Sequence, residues 1–292
     1  MDDAPDDHHQ DDQTSHIGRR DLTAWPSAVG RAAVRITAKA VAGSRRWLDD
    51  RSIPVAVLLV TAGLGVLVAG LFTLLSAQIY ESVTDKAGVA GLDQPVLDWM
   101  IARRSAGLDT AVTAYTSLGG TVIMPVIATV AAVALALWWR RWTPILLMAV
   151  AAGGSVLLTV IGKQSIDRAR PPERFAVAPF ETSPSFPSGH TLNSWVILLL
   201  IAYLISCRVE SRGWRITVTT VAVILAVAMG LSRVYLGHHW LTDVLVGWTL
   251  GSAWLIVVVT GHRLALTMAR QPPDRPVAEG PGDASRGPSA TG

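Results

Sequence analysis

The sequence predicts an all-α membrane protein: a six-transmembrane-helix bundle with outer amphipathic helices. Three observations carry this expectation. Half of the 292 residues are hydrophobic and only 16% are charged, against about a quarter in soluble domains. Several apolar runs reach the roughly 17–25 residues that cross a bilayer as a helix. Lys and Arg gather in every second turn between these runs, which marks one side of the membrane as cytoplasmic.

Residues 1–20 are rich in Asp and His and show no hydrophobic period, as expected of a solvated, disordered tail. Six Asp among the first twelve residues mask a basic remainder, since without them the net charge of +3 becomes +9. That excess suits anionic lipid headgroups. It forms no stripe of the kind that binds nucleic acid. Residues 27–48 interleave Arg31, Arg35, Lys39, Arg45 and Arg46 with apolar residues near helical spacing. A helix lying on a membrane surface and a basic linker both account for this. The first apolar run begins near residue 53, too late for a cleavable signal peptide.

Spans are expected at residues 53–79, 121–139, 144–161, 191–206, 216–231 and 242–260. Residues 80–120 are too polar to cross. Leu92, Val96, Leu97, Met100, Ile101, Leu108, Val112 and Tyr115 recur there at helical spacing, which predicts two amphipathic helices at the outer interface, broken near Gly107. From Gln271 onward Pro, Gly, Ser and Ala dominate, and a second disordered tail is expected. The chain thus divides into an N-terminal tail (1–50), a membrane domain (51–265) and a C-terminal tail (266–292). The single cysteine, Cys207, ends an apolar run; it permits no internal disulfide and is expected to be buried packing.

With six spans, four basic clusters share the cytoplasmic side with both termini. They are Arg45, Arg46 and Arg51; Arg140 and Arg141; Arg208, Arg212 and Arg215; and Arg263 and Arg270. The opposite side holds Lys163, Arg170, Arg174 and Arg233, against the positive-inside trend. Cations kept there indicate an anionic ligand, or pairing with acids such as Asp167, Glu173 and Glu181.

That side also carries three polar stretches: KQSIDRARP from Lys163, PSGH from Pro187, and SRVYLGHHWLTD from Ser232. In the third, His239 and Asp243 are four apart and share a face if helical. Asp243 can accept the Nδ1 proton of His239, which fixes the tautomer and leaves Nε2 as a nucleophile. His238 is five from Asp243 and is expected to be non-essential. In PSGH, Pro187 and Gly189 force a turn at a helix start, where free amides bind anions. Ser188 adds a hydroxyl, Gly189 lets an oxygen approach without a Cβ in the way, and His190 stands as proton donor to a leaving alkoxide. Lys163, Arg170 and Arg233 supply three fixed cations, enough to neutralise a phosphoryl group without a divalent metal.

Lys163-x6-Arg170-Pro171, Pro187-Ser188-Gly189-His190 and Ser232-Arg233-x5-His239-x3-Asp243 together resemble the signature of the type 2 phosphatidic acid phosphatase (PAP2) superfamily, over roughly residues 90–255. The resemblance implies a PAP2/haloperoxidase-like helical core. It also implies a multi-pass membrane phosphatase that hydrolyses lipid phosphates or pyrophosphates. Phosphatidate, phosphatidylglycerol phosphate and undecaprenyl pyrophosphate are such substrates. It implies a phosphohistidine on His239 oriented by Asp243, His190 as general acid, and Lys163, Arg170, Ser188, Gly189 and Arg233 as phosphate holders. No metal or cofactor is expected, and the site is expected to face the extracytoplasmic side. A lipid phosphotransferase would share this site. A transporter or scramblase would carry polar residues or broken helices near mid-membrane, whereas spans two to six have apolar interiors.

Overall fold

The computed structural model describes residues 52–269 continuously, and ahead of them only residues 16–17, 20–21, 32 and 34–37. Most of both tails and of the basic segment 27–48 lies outside the described residues. His16–Ile17 and Arg20–Asp21 pair as two short antiparallel strands, β1 and β2. The elements that frame the site are helices: α1 (Ser52–Thr84), α2 (Asp93–Ile101), α3 (Ala106–Ser117), α4 (Ile123–Trp139), α5 (Thr143–Ser165), α6 (Gly189–Arg208), α7 (Arg212–Tyr235) and α8 (Leu241–Ala269).

Among the described residues, five helices are long and apolar enough to cross a membrane: α1, α5, α6, α7 and α8. α4, expected as the second span, has 17 residues, about 26 Å at 1.5 Å per residue. It nonetheless runs the length of its neighbour α6. The turn that leads into it lies beside His190, because a Cβ on Gly119 would sit 3.2 Å from that ring. Its far end is tied by Arg208, which donates to the Trp139 carbonyl at 2.7 Å.

α6 is the central helix. Leu192, Val196, Leu200 and Leu204 form a buried ridge at four-residue spacing, which meets Met124, Ala128 and Ala132 of α4, Met148 and Ala151 of α5, and Val258 of α8. Ridges of this spacing are what two helices interdigitate. Small residues set the closest approach: a Cβ on Gly247 of α8 would sit 2.9 Å from Thr191 of α6. The outer faces are apolar, with Val66 73% and Leu67 68% exposed on α1; in a chain of this composition those faces meet lipid.

The residues between α1 and α4 form two short helices, as their period predicts, but the break falls at 102–105 and Gly107 lies inside α3. Ser105 ends the break because its hydroxyl caps the helix, accepting from the Leu108 amide at 3.4 Å. Cys207 is buried.

Candidate active site

All three polar stretches meet at the end of the bundle opposite the Arg208–Trp139 contact. α8 begins only at Leu241, so both histidines lie in the turn after α7. A shared helical face therefore does not join His239 to Asp243. Asp243 instead reaches back over the helix start, where its Oδ2 accepts from the Trp240 amide at 2.9 Å, the reciprocal half of a capping box. The same oxygen lies 3.5 Å from His239 Nδ1. The Ser185 hydroxyl stands between them, 2.5 Å from Asp243 Oδ2 and 3.4 Å from His239 Nδ1. Both histidine and carboxylate are almost wholly buried.

The turn depends on Gly237, whose φ is +73°. A Cβ there would lie 2.3 Å from the Phe175 carbonyl oxygen, so only glycine fits. The turn presents the His238 carbonyl to Arg170 at 2.6 Å. His238 itself donates from Nε2 to the Val177 carbonyl at 2.7 Å and braces the loop between α5 and α6.

Asp243 does not stand unpaired. Arg168 Nη1 lies 2.5 Å from its Oδ1, and Arg168 Nη2 lies 2.7 Å from Asp93 Oδ2. Asp93 belongs to the outer helix α2 and also receives the Thr242 amide at 2.9 Å and the Thr242 hydroxyl at 2.8 Å. A carboxylate–guanidinium–carboxylate chain thus runs from the outer helix to the partner of His239. The second outer helix reaches the site too, since Thr116 of α3 accepts from Arg233 Nη1 and from the Ser232 hydroxyl, each at 3.0 Å.

The predicted cations converge on the loop before α6. Lys163 Nζ donates to the Ser183 hydroxyl at 3.0 Å and to the Pro184 carbonyl. Arg170 donates to the Ser183 carbonyl at 2.7 Å and pairs with Glu181 at 2.8 Å. Arg233 pairs with the other oxygen of Glu181. Arg170 Nη1 also lies 3.2 Å from His239 Nε2, which places this cation on the nitrogen read as the nucleophile. Ser188, fully buried, accepts from the Thr191 hydroxyl at 2.9 Å. Gly189 opens α6, whose first-turn amides have no partner within the helix.

Electrostatics follow from this crowding. Burial pushes His239 down to about 4; Asp243 opposes the fall and Arg170 and Arg233 add to it. The imidazole is therefore neutral at pH 7. Burial alone would raise the Glu181 carboxyl, yet Arg233, His239 and Arg170 together hold it down at about 2. A cavity of about 240 Å³ opens beside these groups, lined by Arg170, Phe180, Glu181, Thr182 and His238 among others.

The sequence reading named Lys163, Arg170, Ser188, Gly189, His190, Arg233, His239 and Asp243, and all eight lie at this end of the bundle. It missed Arg168, Asp93, Ser185 and Thr116. Arg168 stood inside the first polar stretch. The signal that could have found it is Asp243 itself, since a carboxylate placed among apolar spans needs a cation.

A helical membrane bundle whose one end sets a buried His–Asp pair against a cluster of cations defines a membrane enzyme of phosphate chemistry. Comparison with known proteins agrees: residues 142–266 match the PAP2 superfamily. The chain is 32% identical to phosphatidylglycerophosphatase B of Bacillus subtilis (strain 168) over 182 residues, 62% of this chain and 85% of that protein. It is 36% identical to an undecaprenyl-diphosphatase of Sulfolobus acidocaldarius over 83 residues, 28% of this chain and 34% of that one. The crystal structure of a transmembrane PAP2-type phosphatidylglycerolphosphate phosphatase from Bacillus subtilis superposes with a TM-score of 0.59 at 29% identity, covering 68% of this chain and 95% of that one. The chain belongs to the PAP2 superfamily and, with it, to the phosphoric ester hydrolases.

Proposed function

We propose that this protein removes the terminal phosphate from a membrane lipid by way of a phosphohistidine on His239, without a metal. The observation that carries this reading is the position of Arg170, 3.2 Å from His239 Nε2 while it and Arg233 share the carboxylate of Glu181. An oxyanion between two guanidiniums beside a neutral imidazole nitrogen is what a bound phosphoryl group requires.

His239 Nε2 attacks phosphorus as the P–O bond to the lipid breaks. His190, protonated once the phosphate's negative charge lies beside it, gives its proton to the departing lipid oxygen. Lys163, Arg170 and Arg233 balance the charge on the equatorial oxygens, with the Ser188 hydroxyl and the Gly189 amide on the helix-start side. Asp243 and Ser185 hold His239 by Nδ1 and stabilise the charge it gains. Water, losing a proton to His190, then attacks phosphorus; the P–N bond breaks and inorganic phosphate leaves. Among the described residues no group of three His, Cys, Asp or Glu side chains is placed to hold a metal.

The names of the relatives suggest phosphatidylglycerol phosphate first, since that match is the longer, and a polyprenyl diphosphate second. We place the site on the extracytoplasmic side and the termini in the cytoplasm. Arg140, Arg141, Arg208, Arg212 and Arg215 gather at the opposite end, as the positive-inside trend asks of a cytoplasmic face.

Purified protein is expected to release phosphate from one or more of these lipids in the presence of EDTA, and His239→Ala to release none while eluting as the wild type does. Turnover by the variant at the wild-type rate would refute the phosphohistidine. Activity abolished by EDTA and restored by Mg²⁺ would refute the metal-free cage.

A further inference from the structure

Around Arg170 the cage that should hold phosphate is already occupied by the protein's own acceptors, whereas Arg233 Nε has no partner. A guanidinium has five N–H donors, and every one on Arg170 has a partner. Nε donates to the Ser183 carbonyl at 2.7 Å. Nη1 serves the His238 carbonyl at 2.6 Å and His239 Nε2 at 3.2 Å. Nη2 serves the Ser183 hydroxyl at 3.1 Å and Glu181 Oε2 at 2.8 Å. None is left for a ligand. Lys163 is turned toward the same Ser183 hydroxyl and the Pro184 carbonyl, and Arg233 toward Glu181. The loop oxygens thus sit on the cations much as a phosphoryl group's oxygens would.

One of these partners differs from the rest. Glu181 carries a full charge, bridges two guanidiniums, and is the outermost of the three: its side chain is 28% exposed, against 13% for Arg170 and 2% for Arg233. It also lines the cavity together with Arg170, so a ligand entering there meets both and reaches Arg233 only past Glu181. We propose that Glu181 is a resident competitor of the phosphate, which a ligand must displace to reach His239. This rests on the reading of the cage as a phosphate site.

Charge decides what can displace it. A phosphodiester headgroup brings one negative charge and would exchange one monoanion for another, with no electrostatic gain. A terminal phosphate monoester or diphosphate brings two or more charges, and the exchange then runs in its favour. Most of a membrane's phosphate is in diesters, so Glu181 sets a threshold that keeps them out. Displacement has a second effect. Drawing Arg170 Nη1 onto a phosphate oxygen removes it from the lone pair of His239 Nε2, so the nucleophile is released only when its target is present.

The test uses the full chain in detergent, with equilibrium binding of inorganic phosphate and of dimethyl phosphate followed by calorimetry. Wild type is expected to bind phosphate and to bind dimethyl phosphate undetectably. Glu181→Gln is expected to bind phosphate tighter by about tenfold or more, the worth of one charge-assisted contact, and to bind dimethyl phosphate measurably. Glu181→Asp is expected to return both toward wild type. In turnover, Glu181→Gln should show a lower KM for the lipid phosphate and inhibition by less inorganic phosphate. If Glu181→Gln binds phosphate no tighter or more weakly, Glu181 is a fixed support of the arginines and the proposal fails. Should that variant not fold, the wild type decides: dimethyl phosphate binding as tightly as phosphate overturns the threshold. Binding is read without turnover, so the expected pattern in a protein that releases no phosphate from any lipid would support the competitor and remove only the hydrolase.

Discussion

At the scale of single residues, the mechanism proposed depends on His239 staying neutral in a crowd of cations. Burial holds its pKa at about 4, well below the usual 6.5. A neutral nucleophile is lost only as pH falls through that value, so once kcat/KM is corrected for the loss of substrate dianion at about pH 6, the acid limb that remains is expected near 4. A remaining limb near 6.5 would mean that His239 is solvated. Arg168 makes a second prediction. Arg168→Gln leaves Asp243 and Asp93 facing each other without their cation, a loss of about 3–5 kcal/mol for a broken buried pair. Because Arg168 touches Asp243 and not the cage, kcat is expected to fall with KM little changed, and Arg168→Lys to recover part of it. A rise in KM at constant kcat would move Arg168 into the phosphate site. These residues also show what a sequence can reveal. The cations and histidines were legible because each stands in a turn that breaks the alternation of basic clusters or at a telling interval. Ser185, Thr116 and Asp93 were not, because a neutral hydroxyl or a lone acid at a helix start looks like any other polar residue until its partner is known.

At the scale of elements, turns and helix starts do the positioning. His239 and Asp243 are joined across the first turn of α8, so the four-residue interval gave the right pair for a different reason. The interval measures distance along a helix, but here a carboxylate reaches back to an amide ahead of it. Gly237 carries that turn. Gly237→Ala is expected to cost roughly 1–2 kcal/mol from the left-handed backbone alone, and more from contact with the Phe175 carbonyl. Thermal unfolding in detergent measures the first, and a drop in kcat reports the displaced His238 carbonyl. The outer helices were legible by their period. Their purpose was not, because Asp93 and Thr116 acquire it only through residues about 75 to 150 positions away, Arg168, Arg233 and Thr242.

At the scale of the whole molecule, charge is divided between two ends. Basic turns gather where Arg208 grips the Trp139 carbonyl, and the site occupies the other end. The orientation proposed from this is testable with a thiol reagent that does not cross membranes. With Cys207 replaced by Ala, Phe180→Cys in intact cells is expected to react and Arg141→Cys only after lysis. The reverse pattern would turn the protein over. Phe180 suits this use because it is exposed beside the cavity.

The short helix α4 bears on the bilayer itself. Its 17 residues reach about 26 Å, while a hydrocarbon core is about 30 Å thick. The turn that leads into it, at Gly119, lies beside His190. Thinning of the lipid along that flank is one way a bilayer matches so short a span, at a fraction of a kcal/mol per Å. Headgroups there would then lie about 2 Å deeper on each face, and a membrane phosphate would start that much nearer the plane of His190 and His239. Enzyme reconstituted into bilayers of graded chain length would then work fastest in the thinner ones.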